Sequence, residues 1–263
     1  MSETPRRGKT SRPAPQAPVF TPSPEAKASA LRLRILALAL WAAAIALEAL
    51  AIFWLLRPPF AELAAHQGFP SWRWWLLIGF LVAIAILAIA GSFFWKRANR
   101  HDPAPRSQPI RFFVQNQLGA IIALIAFAPL VVMILLNKDM DGKQKGIAAG
   151  VGIAVGLVAV LAGIDFKPLS REQAAVESQV VAQLVGRDEV WWSSGGGVVH
   201  LCKGVSDLAK ATTPLSNGPV ADAFAAGKKG ITLELGPELR QCGLPEPANL
   251  PEIEQWVRSA RGL

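Results

Sequence analysis

The sequence is poor in charged residues, in cysteine and in histidine. Only 17% of its 263 residues are charged, and it contains two cysteines and three histidines. Soluble domains usually carry about 25% charged residues, so the composition argues against a purely soluble protein. Two cysteines exclude a dense disulfide framework and leave one disulfide, two free thiols or a sparse metal site open.

The charges that are present are unevenly distributed. The net charge is +8; residues 1–165 carry 17 Lys and Arg against 8 Asp and Glu, whereas residues 166–263 carry 10 against 11. A nucleic-acid-binding protein would cluster basic residues on a folded domain, and the C-terminal part does not. We therefore expect no nucleic-acid partner and attribute the basic excess to the positive-inside rule of membrane proteins.

Four apolar runs predict membrane-spanning helices. Residues 118–136 and 147–164 are separated by only ten polar residues, which forces two helices of spanning length into an antiparallel hairpin. Two earlier runs are bounded by tryptophans, which favour the headgroup boundary. These boundary residues are Trp54, Trp72, Trp74, Trp75 and Trp95. The predicted spans cover about residues 35–56, 74–95, 114–136 and 146–164.

The predicted fold is an α-helical membrane protein, with four transmembrane helices in two antiparallel pairs and a small C-terminal α+β soluble domain. Residues 1–30 are predicted to form a disordered, basic, Pro-rich tail, residues 31–165 the membrane domain and residues 166–263 the soluble domain. The first apolar run begins only near residue 35, so no cleavable signal peptide is expected. Ten Lys and Arg flank the side that holds both termini and five flank the other, which predicts two cytoplasmic termini in the cell membrane.

The C-terminal domain has recognisable start and stop signals. Ser170 and Gln173 form a capping pattern for a helix over residues 171–185 that ends at Gly186. Residues 189–192 and 198–202 predict two strands of a hairpin around a Gly-rich turn, and residues 231–235 a third strand. Residues 219–226 and 251–261 predict two further helices.

Glu48 and four glycines are the notable residues of the predicted spans. A carboxylate in the middle of a span is costly and is either functional or a lone neutral helix residue, and no second ionisable group lies deep in any span. The glycines repeat at G-x-x-x-G spacing, which favours close packing within the chain and leaves dimerisation as the alternative. They are Gly146, Gly150, Gly152 and Gly156.

His200, Cys202 and Cys242 are the candidate metal or thiol residues. His200 and Cys202 would share one face of a strand, but three ligands without a Cys-x-x-Cys pair favour burial in the core over a zinc site. A Cys202–Cys242 disulfide would place the domain outside the cytoplasm, against the charge count.

Residues 137–142 contain the Asn-x-Asp-x-Asp-Gly start of a calcium loop. Ala148 stands where that loop needs its last carboxylate, so a hydrophilic turn is expected.

Two segments carry a resemblance. The hairpin from Pro129 through Lys145, the following Gly-rich span and the Asp165-to-Pro168 segment resemble uncharacterised multi-pass membrane proteins of high-GC Gram-positive, actinobacterial type. The segment from Val190 to Leu201 is similar to short C-terminal modules on such proteins, which often carry histidine and several cysteines. The resemblance implies a membrane location and no defined activity.

Three functions are compatible with these patterns. The first is a non-enzymatic scaffold, partner-binding or sensing protein that acts through its C-terminal domain, since no catalytic constellation is present. The second is a small transporter or channel component using Glu48, and the third is a metal- or thiol-responsive sensor using His200, Cys202 and Cys242. We expect no cofactor; the expected partners are the lipid bilayer, a protein bound by the C-terminal domain and a second copy of the chain.

Overall fold

The computed structural model describes residues 20–263 and contains four helices long and apolar enough to cross a membrane. It confirms the predicted helical membrane domain followed by a small α+β part. The helices are α1 (Pro24–Leu50, continued by a π-helical turn at Ala51–Leu55), α2 (Phe60–His66), α3 (Ser71–His101), α4 (Pro109–Leu136), α5 (Gly142–Gly163), α6 (Arg171–Val185), α7 (Ser206–Ala209), α8 (Val220–Ala225), α9 (Leu235–Gln241) and α10 (Leu250–Arg261), and the strands are β1 (Val190–Ser193) and β2 (Leu215–Gly218).

The first helix starts earlier than predicted. Ser23 caps α1, its side chain accepting a hydrogen bond from the N–H of Ala26, and Pro24 occupies the first helical turn, where its missing N–H is harmless. The prediction of a disordered tail through residue 30 is therefore wrong from residue 24 onward, and for residues 1–19 it lies outside the described part of the chain. Hydropathy locates the apolar part of a helix, whereas capping decides where the helix begins.

The four long helices form a bundle around α3. Helix α1 packs along α3, α4 packs along α5, and α3 also contacts both α4 and α5. Trp41 of α1 is buried against α3 and donates its indole N–H to the carbonyl of Ala88. Pro129 lies inside α4, which runs past it to Leu136. The centre of the bundle is apolar and includes Leu77, Leu81, Ile84, Phe127, Leu130 and Ile134.

The end of α1 is held by Arg73 from the start of α3. The Arg73 guanidinium donates to the backbone carbonyls of Trp54 and Leu55 and forms a 2.8 Å ion pair with Glu62 of α2. The π-helical turn changes the usual carbonyl pairing there, and a buried arginine satisfies the groups that the helix leaves free.

The C-terminal domain confirms the predicted helices and corrects the predicted sheet. Helix α6 is capped by Ser170 and ends at Gly186, whose φ of 85° is the left-handed conformation that glycine adopts most easily. Strand β1 pairs antiparallel with β2, with Val190 opposite Gly218. On its other edge the predicted hairpin with residues 198–202 is reduced to one antiparallel bridge, in which Trp191 and His200 exchange both backbone hydrogen bonds. Val199 makes a second single bridge, to Ile231.

The predicted strand at residues 231–235 is likewise reduced to the single bridge at Ile231, because α9 begins at Leu235. Pro237 lies in the first turn of α9, where a proline is tolerated. The domain has its own apolar core, which the first described residue, Phe20, also contacts.

Candidate functional site

Asp102 joins three separate parts of the chain where the C-terminal domain meets the bundle. It follows α3 directly, and its carboxylate accepts hydrogen bonds from Arg34 of α1 at 3.1 Å and from Arg171, the first residue of α6, at 3.0 Å. One carboxylate thus pairs with two guanidinium groups, one from α1 and one from α6. The first helix, the loop between α3 and α4 and the C-terminal domain are fixed to one another at this point.

Backbone contacts extend this junction. The N–H of Arg171 donates to the carbonyl of Ala104, and the Arg171 side chain also donates to the carbonyl of Pro103. The carboxylate of Glu172 accepts from the backbone N–H groups of Arg106 and Ser107. Burial raises the pKa of Glu172, but these N–H groups lower it by more, so its pKa lies below the usual range.

The last helix reaches the same junction. The Arg106 side chain donates to the carbonyl of Ala260 near the end of α10. One residue further, Arg261 forms a 2.7 Å ion pair with Glu177 of α6, a residue with no exposed side-chain surface. Glu177 also accepts from Gln173 and from the N–H of Ile231, so its carboxylate is fully hydrogen-bonded. Helix α10 is therefore bound to α6 through Glu177 and to the loop between α3 and α4 through Arg106.

Lys228 is a second buried charge in the domain. Its ammonium donates to three backbone carbonyls of the Gly-rich turn, those of Ser193, Ser194 and Gly196. Burial lowers the pKa of Lys228. The lysine thus satisfies three backbone carbonyls of the turn.

The structure joins Cys202 and Cys242 in a disulfide. Cys202 lies in the loop after His200, Cys242 directly follows α9, and both side chains are half-buried. The pair is therefore present as a cystine and not as thiolate ligands. Among residues 20–263 no cluster of three or more His, Cys, Asp or Glu is arranged to hold a metal ion.

His200 faces a carboxylate and not a cysteine. Its Nδ1 lies 2.5 Å from Oε1 of Glu238 on α9, and the other carboxylate oxygen accepts from the N–H of Leu201. Both side chains are buried. The predicted set of His200, Cys202 and Cys242 thus divides into a histidine–glutamate pair and a disulfide. Both link the loop at residues 200–202 to α9.

Glu48 is buried in the bundle, as its position predicts. Its side chain is 5% exposed, and its Oε1 has no hydrogen-bond partner among residues 20–263. Such a group in an apolar bundle is energetically expensive.

The four glycines of α5 separate into two pairs. A side chain on Gly152 would meet Val131 and Leu81, and one on Gly156 would meet Phe127 at 3.1 Å, so this pair lies against the rest of the bundle. Nothing in the described chain lies within 4 Å of the corresponding positions on Gly146 and Gly150. Dimerisation of the chain through these glycines remains a prediction. A further glycine of α5, Gly163, was not predicted to pack, yet it lies directly against the backbone of Gly119 and Ala120 in α4.

The calcium-like residues of the hairpin turn have local roles. Asn137 accepts from the N–H groups of Asp139 and Met140, and Asp141 caps α5 by accepting from the N–H of Gln144. These contacts are those expected of a polar turn and a helix cap.

Asp102, Arg171 and Glu238 were not singled out from the sequence. Each acts on a partner 37 or more positions away, and no local pattern marks such pairs. Comparison with protein-family models, curated proteins and solved structures finds no match to this chain.

Proposed function

We propose that this chain is a non-enzymatic membrane protein that senses or binds a partner through its C-terminal domain and passes the effect to its helices. The bridging of Arg34 and Arg171 by Asp102 carries the proposal. A domain that only anchored a partner could be connected to the bundle by a flexible linker. This domain is instead hydrogen-bonded directly to the loop between α3 and α4. A change in the domain therefore alters contacts that hold α1 and α3.

We further propose that both termini lie in the cytoplasm of a cell with this protein in its plasma membrane. The support is the excess of Lys and Arg on the side that holds Arg34, Arg100, Arg106 and Lys167. Disulfides in the cytoplasm are usually transient or redox-sensing, because the compartment keeps thiols reduced. On this topology the Cys202–Cys242 pair acts as a reversible thiol switch, which favours the thiol form of the sensor over the metal form.

The route from the thiol pair to the bundle is short. Cys242 directly follows α9, and α9 contacts α10. Through its last turn, α10 is bound to Glu177 of α6 and to Arg106. Helix α6 begins at Arg171 on Asp102. Opening the disulfide frees the end of α9 and thereby loosens the elements that hold the junction.

Amide hydrogen exchange of the full chain in lipid nanodiscs tests this coupling. Reduction is expected to speed exchange in residues 200–209 and 235–244, and also in residues 102–108 of the junction. Cys242→Ser should reproduce the reduced pattern in oxidising buffer, and Asp102→Asn should make residues 102–108 insensitive to the redox state. Equal exchange of residues 102–108 in oxidised and reduced wild-type protein would refute the coupling.

A transporter or channel component is the second candidate, favoured by the Oε1 of Glu48, which has no hydrogen-bond partner within residues 20–263. Such a group inside a bundle is the kind of site that ion and proton pathways use. Proteoliposomes loaded with a pH dye test it: a proton or cation flux that Glu48→Gln abolishes would support this function. Absence of flux in the wild-type protein, or equal flux in the variant, would remove it.

A further inference from the structure

A cavity of about 570 Å³ lies between the C-terminal domain and the end of the bundle. The end of α3, the linker between α5 and α6, the loop after α8 and the end of α10 all contribute to its wall. Six of its lining side chains are cationic, and Asp165 is the only acidic side chain among the described residues that line it. The cationic residues are Arg100, Arg106, Lys167, Lys228, Lys229 and Arg261.

Half of these cations are already used by the fold. Lys228, Arg261 and Arg106 donate to carbonyls or to Glu177, as described above. The side chains of Arg100, Lys167 and Lys229 make no hydrogen bond or ion pair with any residue from 20 to 263, and all three residues are exposed. They come from α3, from the linker and from the C-terminal domain. Three uncommitted positive charges from three elements thus converge on one cavity.

The neighbouring cavity shows that this charge is not a general property of the junction. It measures about 670 Å³ and is lined by residues of α1, α6 and α8, with His101, Asp188 and Asp222 as its titratable groups. No lysine or arginine is among the described residues that line it. The basic lining therefore distinguishes the first cavity from its neighbour at the junction.

We expect the basic cavity to lie near the lipid headgroups, because its residues lie at the ends of the candidate membrane helices α3 and α5. Its linker residues begin two positions after Gly163, the last residue of α5, and Arg100 is one residue from the end of α3. Phe166, which also lines the cavity, is 74% exposed and offers an apolar surface beside the charges. Arginine and lysine bind phosphate oxygens with charge-assisted hydrogen bonds, and basic pockets between membrane helices bind anionic headgroups.

We propose that this cavity binds the phosphate group of an anionic phospholipid, with Arg100, Lys167 and Lys229 as the recognising side chains. A bound headgroup bridges α3, the linker and the C-terminal domain. The lipid thus adds a second link between the C-terminal domain and the bundle, beside the ion pairs of Asp102. The site does not depend on the sensing role, since headgroup binding requires only the cavity and its charges.

Hydrogen exchange of the full chain in nanodiscs of phosphatidylcholine with increasing phosphatidylglycerol tests the proposal. We expect phosphatidylglycerol to slow exchange in residues 164–169 and 226–230. A lysine near an anionic surface contributes about five-fold in affinity, so Lys167→Gln with Lys229→Gln should weaken headgroup binding by about 25-fold, and the protection should no longer saturate over the range of phosphatidylglycerol fractions that saturates it in the wild type. The matched control, Lys138→Gln with Lys143→Gln, removes two exposed lysines at the opposite end of the bundle and should leave the protection unchanged.

Two results would overturn the proposal. The first is exchange in these residues that does not respond to phosphatidylglycerol, or that shifts equally in the control pair. The second is equal protection by millimolar inorganic phosphate in pure phosphatidylcholine nanodiscs, which would assign the cavity to a soluble anion and not to a lipid.

Discussion

Replacing Asp102 by asparagine removes the charge that holds Arg34 and Arg171 while keeping the size of the side chain. The side chain of Asp102 is 15% exposed, and those of Arg34 and Arg171 are 25% and 31% exposed. Exposed ion pairs contribute about 0–1 kcal/mol, and breaking a fully buried pair costs about 3–5 kcal/mol. This partly buried pair of contacts lies between those limits, and we expect Asp102→Asn to weaken docking of the domain by about 2 kcal/mol.

The assay is amide exchange at the three N–H groups that report docking directly, those of Arg106, Ser107 and Arg171. Exchange that requires local opening follows the population of the open state, so a loss of about 2 kcal/mol predicts about 30-fold faster exchange. Asp139→Asn is the matched control, because Asp139 is an exposed carboxylate at the other end of the bundle. A change of less than three-fold for Asp102→Asn would refute the assignment of Asp102 as the anchor.

Three further variants probe other parts of the molecule. The disulfide closes a loop across a sequence separation of 40 residues, so Cys202→Ser should destabilise the oxidised C-terminal domain by about 4 kcal/mol in the chain-entropy estimate; an unchanged melting temperature by near-ultraviolet circular dichroism would contradict this. Gly163→Ala places a Cβ against the backbone nitrogen of Ala120 and should cost about 1–3 kcal/mol in detergent unfolding, whereas Gly150→Ala, with open space around it, should cost nothing; equal losses would be inconsistent with the helix packing. The hydrogen bond from Arg73 lowers the pKa of Glu62 below its ordinary value of 4.5, so the stability that this pair contributes is present above that value and is lost as the pH falls through the lower folded-state pKa. Tryptophan fluorescence at Trp54 and Trp72 should report this acid transition, and Glu62→Gln should remove it; persistence of the transition in the variant would assign it to another group.

The membrane part of the fold follows from local signals. Apolar runs and terminal tryptophans locate four spans because a helix in lipid satisfies its backbone internally and must be apolar over its length. The cap at Ser170 and the glycine at position 186 likewise mark α6, since capping involves residues close in sequence. The start of α1 at Pro24 was missed because its first turns lie outside the apolar run.

Long-range pairings could not be predicted in the same way. Strand β1 meets the adjacent residues 198–202 at a single bridge and forms its longer ladder with the more distant β2, and the alternation of side chains does not indicate which of the two would supply the longer ladder. Lys228, which occupies the carbonyls of the intervening turn, lies 32 to 35 positions away from them. The same holds for Asp102 with Arg171 and for His200 with Glu238. Their individual residue types are ordinary, and only the fold brings them together.

The side of the membrane on which the C-terminal domain lies tests the proposed function most directly. Fusions after Leu263 to green fluorescent protein, which fluoresces in the cytoplasm, and to alkaline phosphatase, which is active only outside it, measure this in intact cells. We predict that the green fluorescent protein fusion is fluorescent and the phosphatase fusion inactive, because the Lys and Arg distribution predicts a cytoplasmic C-terminal domain. The proposed thiol switch requires this location. An active phosphatase fusion together with a dark fluorescent one would contradict the account and make the Cys202–Cys242 bond a structural disulfide of an external domain.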